Sequence, residues 1–235
     1  MYRTMLRNGK TVGYYIDDFP DSAAEEEDYI SVIVSAEDTY AAYELHRRGF
    51  RFMSRSLSLE IPLKNFRSAI NPGKKFDMSV LNDWHPEEIY SIAKETFDRD
   101  SRFALDIRGE DTDLKNELLH GFIFEQKRQG TMATLLYREG QLVGFNLWSI
   151  CDGTGRILLG AVSEKYRNTG IAMPLYSCTM NAMKEREADT LRDIVSTSNM
   201  ASLNLHARII QCGEGIVRFG HCRDCYKKER SGMDV

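Results

Sequence analysis

Length and composition describe an ordinary globular chain. It has 235 residues, 42% of them hydrophobic, and a formal net charge of −4. No stretch reaches the roughly 18 apolar residues that a membrane span needs, and we expect no signal peptide because no apolar segment follows the first residues. Five cysteines form no disulfide framework, which favours reduced thiols in the cytoplasm. The mixed charge argues against a nucleic-acid partner.

Residues 1–75 predict a small α/β segment. The expected elements are a hairpin around Asn8-Gly9, a strand over 29–34, a helix over 35–48 and a strand over 51–61. Ser35 is the expected N-cap of the helix, and Gly49 its stop. Residues 71–75 contain a Pro-Gly pair and indicate a linker, so we place a domain boundary after residue 75.

Residues 76–235 predict a longer alternation of helices and strands. In chain order we expect a strand near 76, a helix from Pro86 through Phe97, a helix over 113–129, strands over 131–137, 142–150 and 157–162, a helix over 171–187, a strand over 191–197, a helix over 199–210, and strands or a hairpin over 216–226. Short polar loops separate these elements.

The most informative stretch is the loop between the strand ending at Val162 and the helix after it. A strand that turns sharply into a helix leaves several backbone N–H groups unpaired, and the helix dipole adds positive charge there. Such a loop suits a pyrophosphate, and Gly170 lets a phosphate approach the backbone closely. The spacing matches neither a P-loop nor a dinucleotide-binding Rossmann turn.

This Arg-x-x-Gly-x-Ala loop, residues 167–172, resembles the acetyl-CoA pyrophosphate loop of the GCN5-related N-acetyltransferase (GNAT) superfamily. The order of elements from Phe76 to Tyr226 is similar to that fold as well. The resemblance implies an α/β fold with a mixed, mostly antiparallel central sheet, in which strands 158–162 and 191–197 form a splayed parallel pair. It also implies an enzyme that uses acetyl-CoA to acetylate a primary amine by direct attack in a ternary complex.

The same resemblance implies the cofactor contacts. These are Leu159, Gly160, Ala161, Val162, Arg167, Asn168, Thr169, Gly170, Ile171, Ala172 and Asn199. The backbone N–H of Ala161 or Val162 would polarise the thioester carbonyl. A solvated loop arginine is the alternative for Arg167. Asn199 can also be a helix N-cap, and both of its roles can hold at once.

His206 stands where many members of the superfamily carry a tyrosine that protonates the leaving thiolate. Imidazole can donate a proton near neutral pH, so the resemblance implies His206 as general acid. A packed histidine is the alternative, because His46 occupies the matching place in the first segment. The general base is not identified; Asp106, Asp152 and Glu164 are carboxylates near the expected cleft.

An internal repeat is visible in the sequence. Residues 6–14 resemble 137–145, and residues 45–48 resemble 205–208. The first copy lacks the stretch in which the second carries the anion loop and its helix. We infer that residues 1–75 are a truncated half-copy of the same fold without a cofactor site, and chance similarity of two common units is the alternative.

The layout further resembles the TDP-fucosamine acetyltransferase branch, through the small first segment, the Ser101-Arg102-Phe103 loop and the helix over 199–210. This implies a nucleotide-linked amino sugar as acceptor, with Arg102 on a nucleotide phosphate. An ion pair with Asp98, Asp100 or Asp106 is the alternative for Arg102. A protein, peptide or antibiotic amine as acceptor, and a non-catalytic acyl-CoA-binding module, also stay open.

Three cysteines and a histidine near the end of the chain resemble a zinc ligand set. They are Cys212, His221, Cys222 and Cys225. The segment that holds the last three predicts a strand, in which positions three apart face opposite sides, so we expect no metal. The expected partner is therefore a small-molecule amine, with neither nucleic acid nor membrane involved, and a homodimer is left open.

Overall fold

The computed structural model describes residues 2–7, 10–20, 27–64, 66, 73, 75–97, 112–212 and 218–229. Two residues with predicted roles, Arg102 and Asp106, lie outside these ranges. Within them, no helix is long and apolar enough to cross a membrane.

The elements match the predicted order. The strands are β1 (Tyr2–Arg7), β2 (Lys10–Ile16), β3 (Tyr29–Ser35), β4 (Arg51–Pro62), β5 (Asp77–Leu81), β6 (Met132–Arg138), β7 (Gln141–Cys151), β8 (Thr154–Val162), β9 (Thr190–Ser196) and β10 (Arg218–Glu229). The helices are α1 (Thr39–Arg47), α2 (Pro86–Phe97), α3 (Thr112–Arg128), α4 (Ala172–Glu185) and α5 (Met200–Cys212). A 3-10 turn, Glu164–Tyr166, lies between β8 and α4.

All ten strands belong to one mixed sheet, in the order β1-β2-β3-β10-β4-β9-β8-β7-β6-β5. The pairs β2–β3 and β8–β9 are parallel, and the other neighbours are antiparallel. The predicted fold class is therefore confirmed. The sheet runs through the predicted boundary, since β4 pairs with β9 and β10 lies between β3 and β4. The boundary after residue 75 stays a prediction.

The alternation of apolar residues in β7 explains how the helices cover both faces of the sheet. Phe145 and Leu147 belong to a core that includes residues of α2 and α3. Trp148 points to the opposite face, where it packs in a core with Met180 and Met183 of α4. Because successive strand residues face opposite sides, one buried strand serves both layers.

Three local expectations were wrong. Ser35 ends β3, and the N-cap of α1 is Asp38, whose Oδ1 accepts a hydrogen bond from the Ala41 N–H at 2.9 Å. Helix α4 ends at Glu185 because Glu187 adopts a left-handed φ of 63°. The final segment forms one long strand with register shifts instead of several strands.

Candidate active site

Strands β8 and β9 are paired over only part of their length. Their parallel ladder runs from Thr154↔Thr190 to Arg156↔Arg192, and no further pair forms between them. On its other side, β8 has a register shift against β7 next to Trp148, and a bulge of this kind bends a strand. The splay that the sequence resemblance implies therefore begins after Arg156.

A cavity of about 680 Å³ fills the space where the two strands separate. This volume lies in the range of sites that enclose a small organic ligand. Most of the predicted cofactor contacts line it: Leu159, Gly160, Ala161, Val162, Arg167, Asn168, Gly170, Ile171, Ala172 and Asn199. Residues of α2, β9 and α5 complete the wall.

The loop at the end of β8 delivers the start of α4 to this cavity. Asn168 and Gly170 adopt left-handed φ values of 62° and 85°, which turn the chain sharply. Ile171 precedes the helix, and among the described residues no side chain caps it. A β-carbon at Gly170 would meet no heavy atom within 4 Å, so the space in front of the first turn is open. The loop thus presents helix N–H groups and a positive dipole end to an anion.

Two side chains of the loop donate hydrogen bonds to nearby backbone carbonyls. Thr169 donates its hydroxyl hydrogen bond to the Tyr166 carbonyl at 2.6 Å and is absent from the cavity wall. Arg167 is exposed, and its Nε donates to the Val162 carbonyl at 3.4 Å. In this position the Arg167 guanidinium folds back along the strand, and it would have to turn outward to reach a phosphate.

The backbone of β8 alternates between β7 and the cavity. The Ser163 N–H bonds the Val143 carbonyl of β7, whereas the Val162 carbonyl accepts from the Thr96 hydroxyl at 3.5 Å. Because the N–H and C=O of one strand residue point the same way, the Val162 N–H faces away from β7. By the same alternation Gly160 faces the cavity, and the Ala161 N–H points into the ladder with β7.

The position of Asn199 is compatible with both roles considered for it, the helix N-cap and the coenzyme contact. It lines the cavity, and its Oδ1 accepts a hydrogen bond from the Ser202 N–H at 3.0 Å. That bond, three residues into the turn, is the N-cap interaction of α5. Its contact with a coenzyme stays a prediction.

His206 lies behind the cavity wall. It is 2% exposed and is not among the lining residues. Its Nε2 lies 2.7 Å from Oδ2 of Asp193, and its Nδ1 lies 2.7 Å from the Ser202 carbonyl. Both partners are acceptors, so a ring with two N–H donors, the imidazolium, satisfies both. Asp193 is 5% exposed and does line the cavity.

The protonation of His206 follows from these neighbours. Burial lowers the pKa of the imidazole, but the hydrogen bond and negative charge of Asp193, together with the Ser202 carbonyl, raise it above its ordinary value. Asp193 keeps its own second oxygen paired, since Oδ1 accepts from the Ile194 N–H at 2.8 Å. When the imidazole is protonated, the two side chains form a buried ion pair at the edge of the cavity.

Many residues of the cavity wall were not predicted from the sequence. Those with polar atoms include Asn146, Tyr176, Asp193 and Arg208. Arg208 follows Asn204 by one helical turn in α5, and that spacing could have placed both on one face. The carboxylates considered as general base do not line the cavity where the structure describes them, namely at Asp152 and Glu164. Among the side chains that the structure describes, no group of three His, Cys, Asp or Glu could hold a metal ion; the side chains of Cys212 and His221 lie outside that set.

The geometry fits the predicted coenzyme. The open loop at α4 suits a diphosphate, and the gap between β8 and β9 offers strand backbone to an extended amide-containing arm. Polar side chains such as Asn146, Asn199 and Arg208 share the cavity wall with apolar ones, so the cavity can both enclose and hydrogen-bond a ligand.

Solved structures share this fold. A GCN5-related N-acetyltransferase from Sphaerobacter thermophilus matches with a TM-score of 0.63 and 17% identity, covering 88% of this chain and 62% of the other. A tandem GNAT protein from the clavulanic acid biosynthesis pathway matches with a TM-score of 0.56 and 12% identity, covering 90% and 67%. A glucosamine N-acetyltransferase region of a fungal multi-domain beta-N-acetylglucosaminidase matches with a TM-score of 0.66 and 10% identity, covering 96% and 31%.

Sequence comparison gives the family. No curated protein matches the chain. The profile of the acetyltransferase (GNAT) family matches residues 84–210, which are more than half of the sequence and include every residue of the cavity wall. Acetyl-CoA is the cosubstrate of this family. The chain belongs to the acetyltransferase (GNAT) family.

Proposed function

We propose that this chain is an acetyl-CoA-dependent N-acetyltransferase that transfers acetyl directly to a primary amine while both substrates are bound. The observation that supports this most strongly is the cavity between β8 and β9, which reaches the uncapped start of α4. When bound, acetyl-CoA would supply the acetyl group as an activated thioester. The protein would bind the coenzyme, polarise the thioester carbonyl and transfer protons.

The loop and strand residues would do the binding. N–H groups around Gly170 and the dipole of α4 would hold the diphosphate. Arg167 would add a forked guanidinium after releasing the Val162 carbonyl. Of the two amides expected to polarise the thioester carbonyl, Val162 faces the cavity and is the better candidate; Ala161 points its N–H into the ladder.

Proton transfer is the step on which the position of His206 bears most directly. A group that protonates the leaving thiolate must reach it directly or through one intermediary. His206 lies behind the wall, so its general-acid role requires Asp193 as a relay between the imidazolium and the cavity. This predicts that His206→Gln and Asp193→Asn lower kcat with little change in the KM for acetyl-CoA.

For the acceptor, we propose the amine of a nucleotide-linked amino sugar. The support is the sequence resemblance around Ser101-Arg102-Phe103, which includes the expected phosphate contact Arg102. The fungal structure named above is also described as acting on an amino sugar, but at 10% identity it supports the fold alone. The expected localisation in the cytoplasm and a homodimeric state stay predictions.

One observation favours a second candidate, a non-catalytic acyl-CoA-binding module. The residue in the position of the usual tyrosine is buried and has both ring nitrogens engaged, as a structural histidine would. A binding module would keep the loop and the splayed strands but would release no thiol.

Free-thiol release from acetyl-CoA separates the two candidates. The purified chain is incubated with acetyl-CoA and a panel of nucleotide amino sugars, peptides and antibiotic amines. Release that depends on one acceptor supports the transferase and names its class. Tight CoA binding without release from any amine supports the module. Binding of neither CoA nor acetyl-CoA contradicts both. In parallel, a thermal-shift panel without stabilisation by any nucleotide amino sugar contradicts the proposed acceptor class.

A further inference from the structure

A buried amide oxygen stands unpaired beside the strand that lines the cavity. Asn146, on β7, has no exposed surface, and its Oδ1 has no hydrogen-bond partner in the part of the chain that the structure describes. Buried polar atoms are nearly always paired, because an unpaired one loses its bonds to water without replacement. Asn146 also lines the cavity, so a bound molecule is a natural source of the missing donor.

The orientation of the Asn146 amide is fixed by its neighbour on α4. The hydroxyl of Thr179 donates its single proton to the Leu175 carbonyl at 3.0 Å, so that hydroxyl can only accept from elsewhere. The Asn146 Nδ2 donates to it at 3.0 Å. Rotating the amide by half a turn would set two acceptors against each other. The Nδ2 atom therefore faces Thr179, and Oδ1 faces the other way.

The unpaired oxygen lies over Gly160 of β8. Asn146 and Gly160 are cross-strand partners, and a β-carbon at Gly160 would lie 2.4 Å from Oδ1. That distance is impossible for a real contact, so only glycine leaves room for the oxygen. Gly160 belongs to the part of β8 that has left β9, and its backbone faces the cavity. The oxygen is thus placed next to the strand that we expect the coenzyme to follow.

We propose that Oδ1 of Asn146 accepts a hydrogen bond from an amide N–H of the pantetheine arm of the coenzyme. This inference rests on the proposed function and adds a side-chain contact to the backbone contacts expected along β8. An amide oxygen is an acceptor only, so it selects an N–H or O–H donor. The arm contains amide N–H groups and, when bound along β8, would pass the part of the cavity that Gly160 lines. Asn146 is then a specificity residue for the arm.

Asn146→Leu tests the contact, because leucine has the same number and branching of heavy atoms and cannot accept a hydrogen bond. Thr179 keeps its bond to Leu175 in this variant. The affinities of the wild type and the variant are measured by calorimetry for CoA and for 3′-phosphoadenosine 5′-diphosphate, which is the coenzyme without its arm. We expect CoA to bind about five- to tenfold more weakly and the nucleotide to bind equally well.

Unfolding of the same variant without ligand is the second measurement. A merely structural Asn146 would make Asn146→Leu less stable than the wild type. We expect an unchanged or higher unfolding midpoint, because the variant no longer buries an unpaired oxygen. Thr179→Ser is the matched control: it keeps the hydroxyl that orients the amide and should leave the CoA affinity unchanged. Should Asn146→Leu fail to fold, Asn146→Ala gives the same comparison of the two ligands.

The outcomes separate this inference from the proposed function. Normal CoA binding by the wild type, with equal CoA affinity in Asn146→Leu, overturns the inference alone. An equal loss for CoA and the nucleotide overturns it too, since Asn146 would then shape the whole site. A crystal structure of the CoA complex with a trapped water on Oδ1 also contradicts it. If the wild type binds no CoA, the proposed function fails, and the inference fails with it.

Discussion

The sheet contains two parallel strand pairs, and only one of them opens. Strands β2 and β3 stay paired from Val12↔Tyr29 to Ile16↔Ile33, and the Asp17 N–H then bonds the Ile33 carbonyl beyond the last pair. Strands β8 and β9 separate after three pairs. Twelve residues separate β2 from β3, whereas the stretch between β8 and β9 carries the anion loop and α4 and lines the cavity.

A glycine makes room for a polar side chain in both pairs. A β-carbon at Gly13 of β2 would lie 1.9 Å from the Glu27 carboxylate, much as one at Gly160 would meet Asn146. The Glu27 carboxylate accepts a hydrogen bond from the Tyr15 hydroxyl at 3.3 Å. The closed pair thus satisfies its buried acceptor within the protein, and the open pair leaves one for a ligand.

Residues 45–48 and 205–208 share the sequence pattern Leu-His-x-Arg, but their two histidines differ in burial. His46 on α1 is exposed, and His206 on α5 is buried against Asp193. The similar sequences around His46 and His206 therefore do not place the two side chains in similar environments.

The largest expected effect uses this contrast. Replacing His206 with leucine leaves Asp193 buried without its partner, which should lower the free energy of unfolding by about 3–5 kcal/mol. Urea unfolding measures it, with His46→Leu as the matched control, for which we expect a change within about 0.5 kcal/mol. In the double variant His206→Leu/Asp193→Leu, part of the loss should be recovered. Equal losses at the two histidines would contradict the buried ion pair.

The next effect concerns the anion loop. Gly170→Val forces a β-branched residue into a left-handed conformation and covers the N–H groups at the start of α4, so CoA should bind roughly a hundredfold more weakly. Gly140→Val is the control, because Gly140 has a φ of 77° and equally open surroundings in the β6–β7 turn. Both variants should lose about 1–2 kcal/mol of stability. Calorimetry should show weak binding in the first variant only; similar binding by both would exclude the loop as the diphosphate site.

A smaller effect should appear as pH changes. In the folded state, burial lowers the pKa of His206, but the hydrogen bond to Asp193 and the charge of that carboxylate raise it. The net result is a pKa above its ordinary value of 6.5. Its stabilising contribution is therefore complete below the unfolded pKa and disappears as the pH rises through the folded pKa. As the pH rises through the folded-state pKa of His206, the urea midpoint of the wild type should fall and its gap to that of His206→Leu should narrow. A constant gap between the two curves would mean that the ring does not change its charge there.

The smallest effect is expected in the closed strand pair. Tyr15→Phe removes the hydroxyl that Glu27 accepts from and should cost about 1 kcal/mol of stability. The affinity for CoA should not change, because β2 lies three strands away from the cavity across β3, β10 and β4. Asn146→Leu is expected to behave in the opposite way. A loss of CoA binding in Tyr15→Phe would show that the first segment contributes to the coenzyme site.

What the sequence could predict depends on how local each feature is. The loop around Gly170 consists of a few consecutive residues and needs one residue with a left-handed φ. The local sequence was therefore enough to predict its conformation. The cap at Asn199 is local in the same way. Asn146 and Asp193 enter the cavity wall only because β7, β8 and β9 meet there, and no spacing in the sequence gives that contact. The choice of Asp38 over Ser35 as a cap was decided by how far β3 extends.

The position of β10 has a consequence for how the chain acquires its structure. Strands β3 and β4 are close in sequence, yet both pair along one edge with β10, which is distant from them in sequence. As the polypeptide leaves the ribosome, both strands keep an unsatisfied edge until β10 has been synthesised. Distant pairings of this kind slow folding and prolong the exposure of strand edges to other chains. Folding of β3 and β4 into the sheet should therefore depend on β10.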